Sequence, residues 1–192
     1  MQNEMKTELE KMLSGELYDA RDPELQSIRN KARELFFRYN NTSYDFKHNE
    51  ERNEILRELL GEYGSGNDIQ TPFYCDYGRN IYIGSNLYIN FNCTILDCAE
   101  VRIGNNVMFG PNVQLYTAYH PIIASERIKG PGLASPITIG DNVWLGGGAI
   151  VCPGVTIGKN TTIGAGSVVT KDIPDNVFAA GNPCRVIRKL PD

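Results

Sequence analysis

The sequence holds two imidazoles, His48 and His120, the side chains whose ordinary pKa lies close enough to neutrality to take up and release a proton there. A neutral imidazole can draw the proton from a substrate hydroxyl and so turn it into a nucleophile. His48 lies in a polar stretch between two predicted helices and reads as solvated. His120 stands where a regular repeat breaks into a loop, and taken alone it could be structural or catalytic. The five cysteines, Cys75, Cys93, Cys98, Cys152 and Cys184, are odd in number and lack CxxC spacing, which argues against a disulfide framework and against a zinc knuckle. They read as small apolar fillers, and no metal site is expected.

The elements that must position these groups come in two kinds. Across 192 residues the chain is 22% charged and 41% hydrophobic, which suits a globular protein and excludes disorder as its main state. The net charge of -4 leaves no broad basic field for nucleic acid or an anionic membrane, so an anionic ligand must be gripped locally. No apolar run approaches the ~18 residues of a membrane span, and the opening residues lack the order of a signal peptide, so a cytoplasmic protein is expected. On that expectation the sequons at Asn41, Asn92 and Asn160 carry no meaning.

Residues 1–68 carry 10 basic and 15 acidic side chains, with apolar residues at helical spacing. Asp22 is an N-cap with Pro23 at the first helical position, and Leu25, Ile28, Ala32, Leu35 and Phe36 follow one face until Asn40-Asn41. A second helix is expected from Asn49 to Leu60, ended by Gly61, with Ile55, Leu56, Leu59 and Leu60 on its packed face.

Residues 69–192 have a period of six instead. Ile139, Leu145, Val151, Ile157, Ile163 and Val169 are evenly spaced, and Val143, Ala149, Val155, Thr161 and Ser167 stand four residues after the first five of these. The same phase holds at Ile83, Ile89 and Ile95, then, after a two-residue insertion, at Ile103, Phe109 and Leu115. Six such matches in a row arise by chance roughly 0.5% of the time per starting phase, and the two further triplets remove accident as an explanation. The period predicts a mainly β fold, a parallel β-helix with three hexads per triangular coil, carrying an N-terminal α-helical segment. Asn86, Asn106, Asn142 and Asn160 fall at its corners as turn residues rather than catalytic ones. Between residues 119 and 136 the hexads stop while the phase from Leu115 to Ile139 is kept, so a loop is extruded there.

With these residues in place the chain resembles the hexapeptide-repeat acetyltransferases, and within them the maltose/galactoside O-acetyltransferase branch. The resemblance runs from Leu17-Tyr18-Asp19 to Gly181-Asn182-Pro183-Cys184-Arg185-Val186-Ile187. Between them it passes through Cys75-Asp76-Tyr77-Gly78, Asn90-Phe91-Asn92, Ile95-Leu96-Asp97, Tyr116-Thr117-Ala118-Tyr119-His120-Pro121, Asp141-Asn142-Val143-Trp144-Leu145-Gly146-Gly147 and Val169-Thr170-Lys171-Asp172. It implies a left-handed coil and a homotrimer whose subunits bring acetyl-CoA and a small sugar acceptor together in the clefts between them.

The resemblance also implies roles. His120 becomes the general base and Asn90 its neighbour in the acceptor site, with Asn92 structural. The backbone N–H of Gly147 stabilises the oxyanion. Trp144, Ala165, Thr170 and Lys171 line the coenzyme A path, and Lys171, Arg185 and Arg188 are the cations for its phosphates. Trp144 precedes an inward Leu145 and therefore faces outward. Asp19 and Asp76 match acidic acceptor-binding positions of maltose-type members, whereas Cys98 stands where galactoside-type members carry a second aspartate. A glucose or maltose acceptor is therefore expected in preference to a galactoside.

Rival readings keep the fold and change the chemistry. A zinc hydratase of the carbonic anhydrase type needs three histidine ligands, and the β-helix holds one histidine. A xenobiotic or antibiotic O-acetyltransferase on the same trimer is disfavoured by the helical segment with Tyr18-Asp19, and a non-catalytic scaffold is allowed by the repeats alone.

Overall fold

A computed structural model describes residues 6–43 and 49–191 of the chain. His48 lies outside the described residues. The predicted parallel β-helix is present, and its three walls are built from strands of two to four residues in register. The first wall stacks Phe73–Cys75, Cys93–Leu96, Gln114–Tyr116, Ile150–Val151 and Val168–Val169. The second stacks Glu62–Tyr63, Ile81–Ile83, Val101–Ile103, Ile137–Ile139 and Thr156–Ile157. The third stacks Asp68–Ile69, Tyr88–Ile89, Met108–Phe109, Trp144–Leu145, Thr162–Ile163 and Val177–Ala180, and Arg185–Lys189 closes it as an antiparallel edge.

The repeat explains the packing directly. The in-phase residues read from the sequence are all at 3% exposure or less, from Ile83 to Val169. Burying each such side chain contributes roughly 1.5–3 kcal/mol. Ile83 pairs with Ile103 and Ile139 with Ile157, so the early coils are two residues longer than the later ones. Ile103 pairs with Ile139 across a gap of 36 residues, which keeps the register while one whole coil's length is extruded.

The corner asparagines behave as their residue type predicts. Asn86, Asn106, Asn142 and Asn160 have φ of 59°, 55°, 58° and 55°, and Asn92, Asn112 and Asn176 join them in the left-handed region. Their amides also form a ladder, in which Asn86, Asn106, Asn142 and Asn160 each donate Nδ2 to the Oδ1 of the asparagine one coil on, ending at Asn176.

Of the N-terminal helices, α1 (Glu8–Leu13) packs against Tyr18–Asp19 and Pro131–Ala134, while α2 (Pro23–Asn40) and α3 (Asn49–Leu59) cover the first coil. Asp22 caps α2 by accepting from the N–H groups of Glu24 and Leu25 at 2.9 and 3.3 Å. Leu35, Tyr39, Ile55, Leu56 and Leu59 enter one core with Ile69, Phe73 and Ile81. An open first coil would leave its strand edge unpaired. The Asn40 amide answers this like a short strand, donating to the Phe73 carbonyl and accepting from the Phe73 N–H at 2.9 Å each. Gly61 does end α3, but for a reason other than capping. It already enters the first coil, and a Cβ there would lie 2.3 Å from the Arg79 carbonyl oxygen. No helix among the described residues is long and apolar enough to cross a membrane.

The extruded segment folds into an arm. Ala118–Tyr119 and Pro131–Ala134 pair antiparallel, and Tyr18–Asp19 adds a third strand to Pro131–Ala134, so the N-terminal segment is stitched to the arm. A short helix, α4 (Ala124–Arg127), forms the tip, with Ile122, Ile123 and Ile128 exposed around it.

Candidate active site

His120 follows the strand Ala118–Tyr119 and is exposed. Its Nδ1 lies 3.0 Å from the carbonyl oxygen of Pro131. A carbonyl only accepts, so Nδ1 carries the hydrogen and the neutral ring is left with its lone pair on Nε2. Pro131 is also the Cα partner of Asp19 in the three-stranded sheet. The Asp19 carboxylate is clasped by the Arg21 guanidinium at 2.9 Å on each oxygen and accepts the Arg21 N–H, and these bonds hold its pKa down to about 2. At Gly132 a Cβ would lie 2.8 Å from Tyr18 Cζ, so only glycine lets the ring of Tyr18 pack across the arm.

The corner between the first and second walls is widened in successive coils, by residues 76–80, then 97–100, then the arm itself. Asp76, Asp97 and Cys98 therefore stand at the corner from which the arm that carries His120 leaves the coil. Asp97 is fully buried and accepts from the N–H groups of Asp76, Tyr77 and Asn80 at 3.0, 2.8 and 3.3 Å. Burial pushes its pKa up to about 7 against the opposing pull of the Tyr77 N–H. The Cys98 thiol, itself pushed up to about 12 by burial and by Asp76, donates to Asp76 Oδ2 at 3.4 Å. Below them Thr117 Oγ1 accepts the Ala99 N–H and donates to the Leu96 carbonyl, tying the second coil to the root of the arm.

The corner between the third and first walls gathers a different set. Asn90, Gly110, Gly146 and Gly164 occupy equivalent positions, each donating its N–H to the next coil, and Phe91, Pro111, Gly147 and Ala165 follow them. Asn90 Oδ1 accepts the Phe91 N–H at 2.7 Å, while Asn92 sits at φ 61° and donates to Asn112 Oδ1. Among the described residues, the N–H groups of Gly147 and Ala165 donate to no acceptor. Two adjacent coils thus present free backbone donors, the kind of group that can hold a developing negative charge.

The outer face of the third wall carries Tyr88, Met108 and Trp144, aligned by strand register and exposed by 36%, 50% and 49%. Arg188 lies on the same wall, with its guanidinium 5.8 Å from the Phe178 ring centre. Lys171 and Arg185 meet instead at a depression of about 220 Å³ that Asp172 and Cys184 also line. Thr170 is exposed beside it.

The predicted residues therefore fall into separate sets within one chain. The His120 arm shares a corner with Asp76, and the arm is held to Asp19. Asn90, Gly147 and Ala165 share the corner at the opposite edge of the first wall, ~10 Å of strand away. Arg188 shares the edge strand Arg185–Lys189 with Arg185, which lines a depression with Lys171. Sequence reading missed Pro131, Gly132 and Asp97. For Asp97 a signal existed, since the alternation from inward Ile95 through Leu96 points it inward.

Comparison with known proteins gives a consistent result. Residues 11–64 match the family model described as maltose acetyltransferase hexapeptide capping motif, and residues 136–171 match bacterial transferase hexapeptide (six repeats). The chain is 53% identical over 181 residues to nodulation protein L of Rhizobium meliloti, covering 94% of this chain and 98% of that one. The crystal structure of a maltose O-acetyltransferase from Clostridium difficile 630 superposes with a TM-score of 0.95 at 52% identity, covering 97% of this chain and 99% of that one. A galactoside acetyltransferase in complex with coenzyme A superposes with a TM-score of 0.93 at 42% identity, covering 98% and 93%.

Proposed function

The chain belongs to the maltose/galactoside O-acetyltransferase branch of the hexapeptide-repeat acetyltransferases and is an acetyl-CoA-dependent acyltransferase, and from that premise we propose that it acetylates a hydroxyl of a sugar with His120 as general base. One observation carries this reading, the His120 Nδ1 hydrogen bond to Pro131 O, which leaves Nε2 as the basic atom. Nε2 removes the acceptor hydroxyl's proton as the oxygen bonds to the acetyl carbon. The carbon–sulfur bond then breaks, and the imidazolium returns the proton to the thiolate, so the base is regenerated. A positioned base of this kind contributes ~10²–10⁴ in rate.

The residues present suit acetyl-CoA, which supplies an activated acetyl thioester when bound. The N–H of Gly147 donates to no acceptor among the described residues, which supports its role as oxyanion donor, and the N–H of Ala165 one coil on is likewise free. Trp144 and Thr170 line the pantetheine path, while Lys171, Arg185 and Arg188 offer charge to the phosphates. Asp19, Asp76 and Asn90 bind the acceptor.

The separation of the His120 and Gly147 corners within one chain supports completion of the site by a second copy, in a homotrimer. The exposed apolar faces at Trp144 and at the arm tip support it further. Light scattering is expected to give three times the 21.4 kDa chain mass, and a dilute monomer with full activity overturns the trimer. The protein works in the cytoplasm on this reading.

The acceptor is glucose, maltose or a related glucoside rather than a galactoside. Cys98 supports this, because the thiol is buried against Asp76 and supplies no second carboxylate for a hydroxyl. Steady-state kinetics on glucose, maltose and a thiogalactoside test it as kcat/KM, alongside Cys98→Asp. A wild-type preference for the galactoside sinks this assignment.

A further inference from the structure

The turn that carries Asp76 is held from one side by two consecutive residues of the next coil. Asp97 Oδ1 accepts the N–H groups of both Asp76 and Tyr77, its Oδ2 accepts that of Asn80, and its own carbonyl accepts Asn80 Nδ2 at 2.7 Å. Cys98 adds the contact to the side chain, its thiol donating to Asp76 Oδ2 at 3.4 Å. From the other side the turn is pressed against α3, where Gly78 sits at φ 69° and a Cβ would lie 2.5 Å from the Leu59 carbonyl oxygen. Tyr77 Oη is buried with no hydrogen bond among the described residues, so the hydroxyl does not fix the turn.

A buried carboxylate spent on three N–H groups of one short turn is more than the fold needs there. The equivalent corners at residues 152–155 and 170–172 belong to the same coil stack and carry no buried acid. What the carboxylate does is fix the backbone of Asp76, and with it the direction of the Asp76 side chain. The thiol then occupies one oxygen of that side chain, and the other accepts no hydrogen bond among the described residues.

We propose that Asp97 and Cys98 are positioning residues of the acceptor site, Asp97 orienting the Asp76 backbone and Cys98 turning the Asp76 carboxylate so that one oxygen faces the sugar hydroxyl. The inference rests on the reading of Asp76 as an acceptor-binding carboxylate. Neither residue is among the proposed contacts of the acetyl donor, which lie on the third wall, on the corner across the first and, at Thr170 and Lys171, on the same corner but three coils beyond Asp97.

The test is steady-state kinetics of four variants with acetyl-CoA and the better of glucose and maltose. Asp97→Asn places an NH₂ against the Asn80 N–H and is expected to raise the acceptor KM about tenfold. The acetyl-CoA KM should stay within about twofold. Cys98→Ala raises the acceptor KM about threefold, and Cys98→Ser restores it because a hydroxyl donates where the thiol did. Asp76→Ala sets the scale. If Asp76→Ala leaves the acceptor KM unchanged, the acceptor-site reading itself fails. If Asp76→Ala raises it while Asp97→Asn and Cys98→Ala do not, or if they raise both KM values alike, the positioning roles fail and the reading of Asp76 stands. Should Asp97→Asn not fold, the Cys98→Ala and Cys98→Ser pair decides, and equal KM values for the two overturn the proposal.

Discussion

Gly132→Ala tests how the arm holds His120. A methyl at this position would lie 2.8 Å from Tyr18 Cζ and 3.0 Å from both Cε1 and Oη, and something must give way. Tyr18 is 4% exposed and packed among Met12, Leu25, Tyr77, Cys98, Ala99 and Ala134, so its ring has no free direction. Overpacking of this kind costs about 1–3 kcal/mol. For a chain of this length that lowers Tm by roughly 2–12 °C. The relaxation available is separation of the two strands paired through Tyr18 and Gly132, which also carries away Pro131, the residue that orients the imidazole. A displacement of order 1 Å at the base costs up to ~10² in rate, so kcat is expected to fall by about 10–100-fold with the acetyl-CoA KM unchanged. The assay is thiol release under saturating acetyl-CoA, with thermal unfolding in parallel and Tyr18→Leu as the second arm of a double-mutant cycle. With the ring removed, Gly132→Ala should cost less than about 0.5 kcal/mol. Wild-type Tm and kcat in Gly132→Ala, or the same loss in both backgrounds, refutes the reasoning.

Two further outcomes follow from local geometry. Asn142 stands at φ 58° in the middle of the amide ladder, accepting from Asn106 and donating to Asn160. Asn142→Ala therefore loses both amide bonds and strains the backbone, for about 2–3 kcal/mol in urea unfolding, whereas Asn142→Gly keeps the backbone easy and costs about 1 kcal/mol. Equal losses would mean that left-handed strain is not what selects asparagine here. The Asp19 carboxylate should titrate near pH 2 by NMR and return to the ordinary range near 3.8 in Arg21→Ala. Because the folded pKa is depressed, its contribution to stability is complete above the ordinary value and lost as pH falls through about 2. An unshifted Asp19 in the wild type removes the Arg21 clasp.

The coil was legible in the residues because its demands are local and repeat. An inward position that takes only a branched apolar side chain every six residues, and a corner that favours asparagine or glycine, leave their trace without any knowledge of long-range contacts. The run from Ile139 to Val169 and the asparagines from Asn86 to Asn160 carry this trace, and their burial and φ agree with it. The arm was legible only as an interruption. Its closure depends on Tyr18 meeting Gly132 and on the Pro131 carbonyl meeting His120, pairings between residues far apart in sequence or through backbone atoms, which no side-chain pattern records. Asp97 lies between these cases. Its inward position followed from alternation, but its partners are backbone N–H groups twenty residues away, and an inward acid in a string of apolar residues does not announce them. The place of Gly61 after Leu60 marks it as a helix terminator, while the constraint on it is the Arg79 carbonyl one coil away.

The central claim is that Nε2 of His120 is the base, and the kcat of His120→Ala measures it most directly. Thiol release from acetyl-CoA with a saturating sugar acceptor should fall by ~10² or more, while the acetyl-CoA KM and the assembly mass stay as in the wild type. A variant that keeps more than about a tenth of the wild-type kcat contradicts the account, because a general base contributes at least ~10².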